Sequence, residues 1–417
     1  MRLWLIPMSY AVVSIACGFG FPRIEYAFLA SYTLDVSIPS VQAFLSAVAS
    51  GMMALTGIVF SIAFVVVQFS AIAYSPRLVL WFARDPVLYH SLGVFVATFM
   101  YSLSTLLWVD RGGSGVVPLF SSLVVAALLI LSVVLFARLI QRVNDLQITN
   151  VLRTIGDKGR QVIREMFRKL DERAVVRRNA APEALGPVTQ TLKYSGEPRT
   201  IATSDVGALV QQAAASEALI VMACAVGDTL VEGTVILRVH GAKEPLDERQ
   251  LMKAMHLGTD RTFEQDPKYA IRLLVDIAIK ALSPAINDPT TAVQALDQIE
   301  DLLLRLGRHD LDNGYASDAN GVLRLVFPMP TWEDYLTLAF DEIRQYGIGS
   351  VQVMRRLRAA LTASAESLTD ADRAGAVRSY LKHLDLAIAQ SPLDAQDQAV
   401  ARETDRQGLG LTRRTNG

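Results

Sequence analysis

The chain has 417 residues, of which 51% are hydrophobic and 19% charged, with a formal net charge of −1. That near-neutral balance gives no basic surplus for a nucleic-acid partner. Two cysteines, Cys17 and Cys224, are too few and too far apart for a disulfide framework, which fits a reducing compartment. The charge is unevenly placed. Between Arg2 and Arg138 the only other basic residues are Arg23, Arg77, Arg84 and Arg111, and the only acids Glu25, Asp35, Asp85 and Asp110. This predicts a transmembrane domain over residues 1–138, followed by a soluble half. Apolar stretches at about 3–21, 45–74, 87–108 and 116–137 are each long enough, at about 1.5 Å per residue, to approach or cover a roughly 30 Å hydrocarbon core. The first holds Pro7; a signal peptide is the alternative, since "SIAC" ending at Cys17 resembles a lipoprotein cleavage box, with Ser14 where that box wants leucine.

The second span carries a seam of small and polar residues. Ser50, Ala54, Gly57, Ser61 and Gln68 fall within about 60° of arc at about 100° per residue. Tight helix packing explains such a seam; so does the lining of a membrane pathway. In the loop that follows, Arg77 and Asp85 flank "LVLWF" and share one face if the segment is helical. The expectation is that Trp81 lies against the membrane while Arg77 meets the soluble half; ordinary topology-setting charge is the plainer alternative. From Arg142 to Arg178 ten basic residues stand against five acids, so the N-terminus and the soluble half are expected on the cytoplasmic side of a bacterial inner membrane.

Beyond the last span, residues 139–185 read as a juxtamembrane helix and linker, with Leu139, Val143, Leu146, Val151, Ile155, Val162, Ile163, Met166 and Leu170 as its apolar stripe. One long helix leaving the membrane, its opposite face solvated, is the expectation. Residues 186–245 read as a small β-module, with turns at Gly227-Asp228 and Glu232-Gly233 and a short helix opened by Ser204-Asp205. The "VGDTLVEGTVIL" stretch is similar to the turn signature of lipoyl and biotinyl barrels, but Lys243 lacks the exposed hairpin that an acceptor lysine needs. Residues 246–390 are expected to be mostly helical, with Val322–Phe327 as a lone strand. Residues 391–417 are polar and aperiodic and are expected to be disordered. The expected fold class is therefore an integral membrane α-helical protein with about four transmembrane helices and a cytoplasmic α+β domain.

Within the helical region, "KALSPAINDPTTAVQAL" (Lys280–Leu296) packs two prolines around Asn287-Asp288. Asp288-Pro289 is a helix start, an aspartate N-cap with proline at the first position. Asp266-Pro267 has the same form, with Thr262 and Gln265 as an alternative capping box. Pro284 ends the preceding helix at Ser283. A helical hairpin follows, Pro267 to about Leu282 and Pro289 to about Leu306. Asp276, among six apolar neighbours, needs a partner if buried; the loop is one, and a surface pair with Arg272 or Lys280 is another. Arg261, Asp266, Asp276, Ser283, Asn287 and Asp288 make up the candidate polar site, either a structural staple or a place for a small ion or molecule.

The same region resembles the domain of unknown function 2254 family, bacterial predicted membrane proteins. The shared pattern falls on Arg261-Thr262, Asp266-Pro267, Leu274–Ala278 and Leu282–Pro289, and in the membrane half on Phe60-Ser61, Ser75-Pro76-Arg77 and Arg84-Asp85. Members commonly carry glycine where this chain has Ala285. The likeness runs from roughly 40 to 390, and it implies no activity.

No phosphate loop, HExxH, Cys/His metal spacing or nucleophile elbow occurs, so no enzyme, cofactor or metal is expected. The reading reached is a homo-oligomeric channel or transport protein in the lipid bilayer, gated by its cytoplasmic domain, with Ser50, Gly57, Ser61 and Gln68 on the pathway. The alternatives are a membrane-anchored sensor or scaffold, and a membrane-bound hydrolase with a site assembled from scattered residues.

Overall fold

The computed structural model describes residues 4–28, 37–73, 86–111, 117–144, 147–174 and 186–410. Arg77, Trp81 and Asp85 lie outside them. The chain divides into two compact units, Met1–Gln147 and Ile148–Gly417.

In the first unit four helices are long and apolar enough to cross a membrane: α1 (Leu5–Phe28), α2 (Ile38–Ala73), α3 (Pro86–Leu106) and α4 (Leu119–Asn144). The expected first span stopped at residue 21; the helix runs on to Phe28 because Glu25 has a partner. Its buried carboxylate accepts from the backbone N–H groups of Phe120 (2.7 Å) and Ser121 (3.0 Å), and from the Ser121 hydroxyl (2.8 Å). The first N–H groups of α4 have no partner within their own helix, and a neighbouring carboxylate satisfies them. Small residues bring α1 against α3. A Cβ on Gly18 would stand 2.6 Å from Ser104 Cβ, and one on Gly93 would stand 2.9 Å from the Tyr10 ring. Ser14 Oγ donates to Ala97 O at 2.5 Å.

Helix α2 buries Val41, Leu45, Val48, Met52 and Val59. Ser50, Ala54, Gly57, Ser61 and Gln68 are exposed on the outside of this unit. A Cβ on Gly57 would meet nothing within 4 Å. Among the described residues, tight packing within this unit therefore does not account for the seam; Ser61 Oγ donates to Gly57 O of its own helix.

The second unit begins with α5 (Ile148–Ala174), so the expected single juxtamembrane helix is two, α4 ending at Asn144. The physical reason is packing. Val151, Leu152, Ile155, Ile163 and Phe167 are buried in this unit, and a Cβ on Gly159 would come within 2.9 Å of Ala270 and Leu302. Two antiparallel helices receive it, α8 (Pro267–Ala281) and α9 (Pro289–Leu306), the predicted hairpin. Helices α10 (Trp332–Gly347), α11 (Val351–Ser367) and α12 (Ala371–Ala389) complete the layer.

The strands are β1 (Val188–Lys193), β2 (Arg199–Ser204), β3 (Leu219–Met222), β4 (Thr229–Leu230), β5 (Val235–His240), β6 (Met255–Gly258), β7 (Tyr315–Ser317) and β8 (Leu323–Val326). They form one sheet in the order β1-β5-β3-β8-β7 and another in the order β4-β2-β6. All pairings are antiparallel except β3 with β8, where Ile220 faces Leu325. The β-module thus does not close at residue 245. Its strands bury one face with Ile201, Ile220, Ile236 and Leu325 in a single core, and that core needs β6, β7 and β8 from beyond. The other elements are α6 (Val206–Ala215), between β2 and β3, and α7 (Glu248–Lys253), before β6.

The expected disordered tail is ordered as far as residue 410. A helix α13 (Ala395–Ala401) buries Ala401, and Arg355 Nε donates to Val400 O at 2.9 Å. Polar composition hid this segment because the buried Ala401 and the contacts of Arg355 with Val400 O and Glu403, not an apolar stripe, hold it.

Candidate functional site

Asp266 occupies the N-cap position of α8, but its side chain makes no cap hydrogen bond. The preceding residue explains this. Gln265 sits at φ +58°, and its Oε1 accepts from Ser204 N at 3.0 Å, tying the segment to the end of β2. A non-glycine residue in this region costs roughly 1–3 kcal/mol, a strain that an anchored segment tolerates. The Asp266 carboxylate therefore turns inward, where it is 1% exposed. Its Oδ2 accepts from Arg261 Nη2 at 2.6 Å and Nε at 3.0 Å, while Oδ1 has no partner. Burial pushes its pKa above the usual carboxylate range, against the opposing pull of Arg261, of Lys268 and of the Tyr269 backbone N–H.

Gly227 closes over this pair. Its φ is +92°, and a Cβ there would stand 2.5 Å from Asp266 Oδ2 and 2.8 Å from Arg261 Nη2. Both conformation and space call for glycine. What the sequence presented as a strand turn is the lid of a buried ion pair.

The pair adjoins a cavity of about 520 Å³ lined by the ends of β2 and β3, the Cys224–Val226 loop, Gln265–Lys268, the Phe327–Pro330 segment, Met166 of α5 and Tyr335 of α10. Two more buried polar atoms on its walls lack partners, Tyr335 Oη and Ser204 Oγ. Burial first, and then the Asp266 charge, push the Tyr335 phenol above its ordinary value, so it is held as a neutral donor. The Cys224 thiol is also pushed up by burial, which disfavours the reactive thiolate. Apolar walls with a few convergent polar atoms are the usual make-up of a small-molecule pocket, and the volume falls in the usual range.

The structure brings Arg261 and Asp266 together and places the other predicted site residues elsewhere. Asp276 pairs with Arg272, its Oδ1 2.6 Å from Nε, and Arg272 also holds both Glu342 carboxylate oxygens, at 2.5 and 2.8 Å. This ties α8 to α10. The pair with Arg272, one turn earlier on the same helix, is one of the partners that the sequence left open for Asp276. The loop itself is closed by Asp288 N donating to Ala281 O (2.8 Å) and Asn287 N to Ser283 O (2.9 Å). Asp288 caps α9 through Thr291 N (3.1 Å) and Thr291 Oγ1 (2.6 Å), and Ser283 Oγ donates back to Lys280 O. Asn287 adopts φ +50°, which asparagine tolerates well.

Residues 1–363 match the family described as Predicted membrane protein (DUF2254). The chain belongs to this family. DUF2254 relatives include uncharacterized proteins of Mycobacterium bovis and Mycobacterium tuberculosis H37Rv. Each is 29% identical over 367 residues, covering 85% of this chain and 69% of the relative. No solved structure matches. The Arg-Thr and Asp-Pro pairs that carry the DUF2254 resemblance lie beside the cavity. Ser204 and Gly227 read in the sequence only as a helix start and a turn, and Tyr335 carried no signal: they stand on separate elements, and no spacing joins them to Asp266.

Proposed function

We propose that this chain is a membrane-embedded small-molecule sensor, whose second unit holds the ligand in the cavity walled by Ser204, Asp266 and Tyr335. One observation carries the reading: Ser204, Asp266 and Tyr335, each with a buried side-chain oxygen that lacks a hydrogen-bond partner, all line one cavity. Buried polar atoms are nearly always paired, and an ion pair serving only as a staple has no need of orphaned neighbours. The basic excess after the fourth span supports a cytoplasmic second unit. A second reading, an oligomeric transport protein gated by this unit, draws on the exposed seam Ser50, Gly57, Ser61 and Gln68. A hydrolase has less support, because burial pushes both the Cys224 thiol and the Tyr335 phenol on the cavity wall toward their protonated forms.

The test is the melting midpoint of the full chain in detergent against a set of metabolite-sized molecules. Ligand at about 100 times Kd adds about 2.7 kcal/mol of stability. At least one compound should raise the midpoint of the wild type and raise that of Tyr335→Phe by clearly less. A set with no such compound overturns the sensor reading. Flux through liposomes, indistinguishable from empty vesicles, would remove the transport reading alone.

A further inference from the structure

We infer that the cavity takes an uncharged molecule with an apolar body and a single hydroxyl or amide head, a class that rests on the sensor reading above. The charges around the site already cancel. Asp205 and Lys268 stand on the walls, Asp266 joins them, and Arg261 is clamped to Asp266 at 2.6 Å. Two acids thus face two bases. Asp205 is further committed to capping α6, its Oδ1 accepting from Ala208 N at 3.0 Å. An ammonium ligand would meet a carboxylate that Arg261 has neutralised. A carboxylate or phosphate ligand would meet Asp266 Oδ1, which repels it. A cation would find no uncommitted carboxylate, and an anion only Lys268, whose charge Asp266 and Asp205 offset, so either would give up its hydration for little in return, which is costly.

The orphaned atoms define the head. Asp266 Oδ1 accepts only, whereas Tyr335 Oη and Ser204 Oγ can each donate. A hydroxyl or primary amide both donates and accepts, so it can serve Asp266 and one of the two hydroxyls together. The body is set by Val206, Met222, Val226, Phe327 and Met329, which offer no strong hydrogen bond from their side chains.

Tyr335→Phe separates binding from folding. The phenol oxygen has no partner in the protein, so replacing it with hydrogen leaves no group newly unsatisfied. The variant should melt at the wild-type temperature or above it, while losing a hydrogen bond to ligand, about tenfold in affinity. The probes are cyclohexanol, cyclohexylammonium and cyclohexanecarboxylate at pH 7, titrated against the full chain in nanodiscs by saturation-transfer NMR. Signal that persists in Tyr335→Phe at unchanged affinity is partition into lipid, not occupancy of the cavity. The expected result is saturable cyclohexanol binding, about tenfold weaker in Tyr335→Phe, with both charged probes at least tenfold weaker than cyclohexanol on wild type. If a charged probe binds as tightly as cyclohexanol and responds to Tyr335→Phe, the ligand class is wrong and the sensor reading survives. If no probe shows saturable binding that responds to Tyr335→Phe, both fall.

Discussion

Asp266 and Asp288 have the same local sequence, aspartate before proline at a helix start, and opposite roles. Asp288 caps α9, and Asp288→Ala should cost about 1 kcal/mol, read from the melting midpoint. Asp266 leaves its helix uncapped and holds Arg261 instead, because Gln265 takes a left-handed turn just before it. A raised pKa means that the folded chain holds the Asp266 proton more tightly than the unfolded chain does. Between the ordinary carboxylate value, about 4, and the raised folded value, stability should therefore fall as pH rises. Asp266→Asn should flatten that slope in melts taken from pH 4 to 7; an unchanged slope would assign it to other groups. Gly227→Ala tests the cover of the pair. It forces a Cβ into the left-handed region and onto Asp266, so a loss of about 1–3 kcal/mol is expected, together with loss of ligand response.

At the scale of elements, periodicity and punctuation made much of the second unit legible. The α8–α9 hairpin runs from Pro267 and ends at Leu306 as its prolines and caps indicate. Sheet membership was not legible. Short β7 was hidden in a turn-rich stretch, and β8 pairs with β3 about a hundred residues earlier, a partnership set by a shared core and by no local pattern. The role of α5 was misjudged for a related reason. Its apolar stripe is equally compatible with a solvent-washed arm and with a core helix, and only the approach at Gly159 distinguishes them. Gly159→Val should wedge α5 from α8 and α9 and cost about 1–3 kcal/mol. The Arg272 bridge between α8 and α10 should be worth more than a cap. Arg272→Leu removes the shared partner of Asp276 and Glu342 and should lower stability by about 2 kcal/mol in the same melts. A loss smaller than that of Asp288→Ala would make the bridge a surface pair.

On the scale of the whole molecule the two units pose separate questions, and one pair of substitutions answers for the membrane half. Glutamine within a hydrocarbon-crossing helix needs a partner for its amide, since lipid tails offer none. Gln68 lies on the exposed face of α2, in line with Ser61, Gly57 and Ser50, and the open space around Gly57 would admit a neighbouring helix backbone. If a second copy fills that space, Gly57→Leu holds the copies apart, and the mass of the detergent-solubilised protein should fall to that of one chain. If the copies enclose a pathway, Gln68→Leu should abolish flux in liposomes while leaving the mass unchanged. Neither substitution reaches the cavity, whose walls all come from residues 166–335. Ligand affinity should therefore hold in both variants. Wild-type mass and no flux in any variant, with ligand binding intact, would make the four helices an anchor and the second unit the whole of the function.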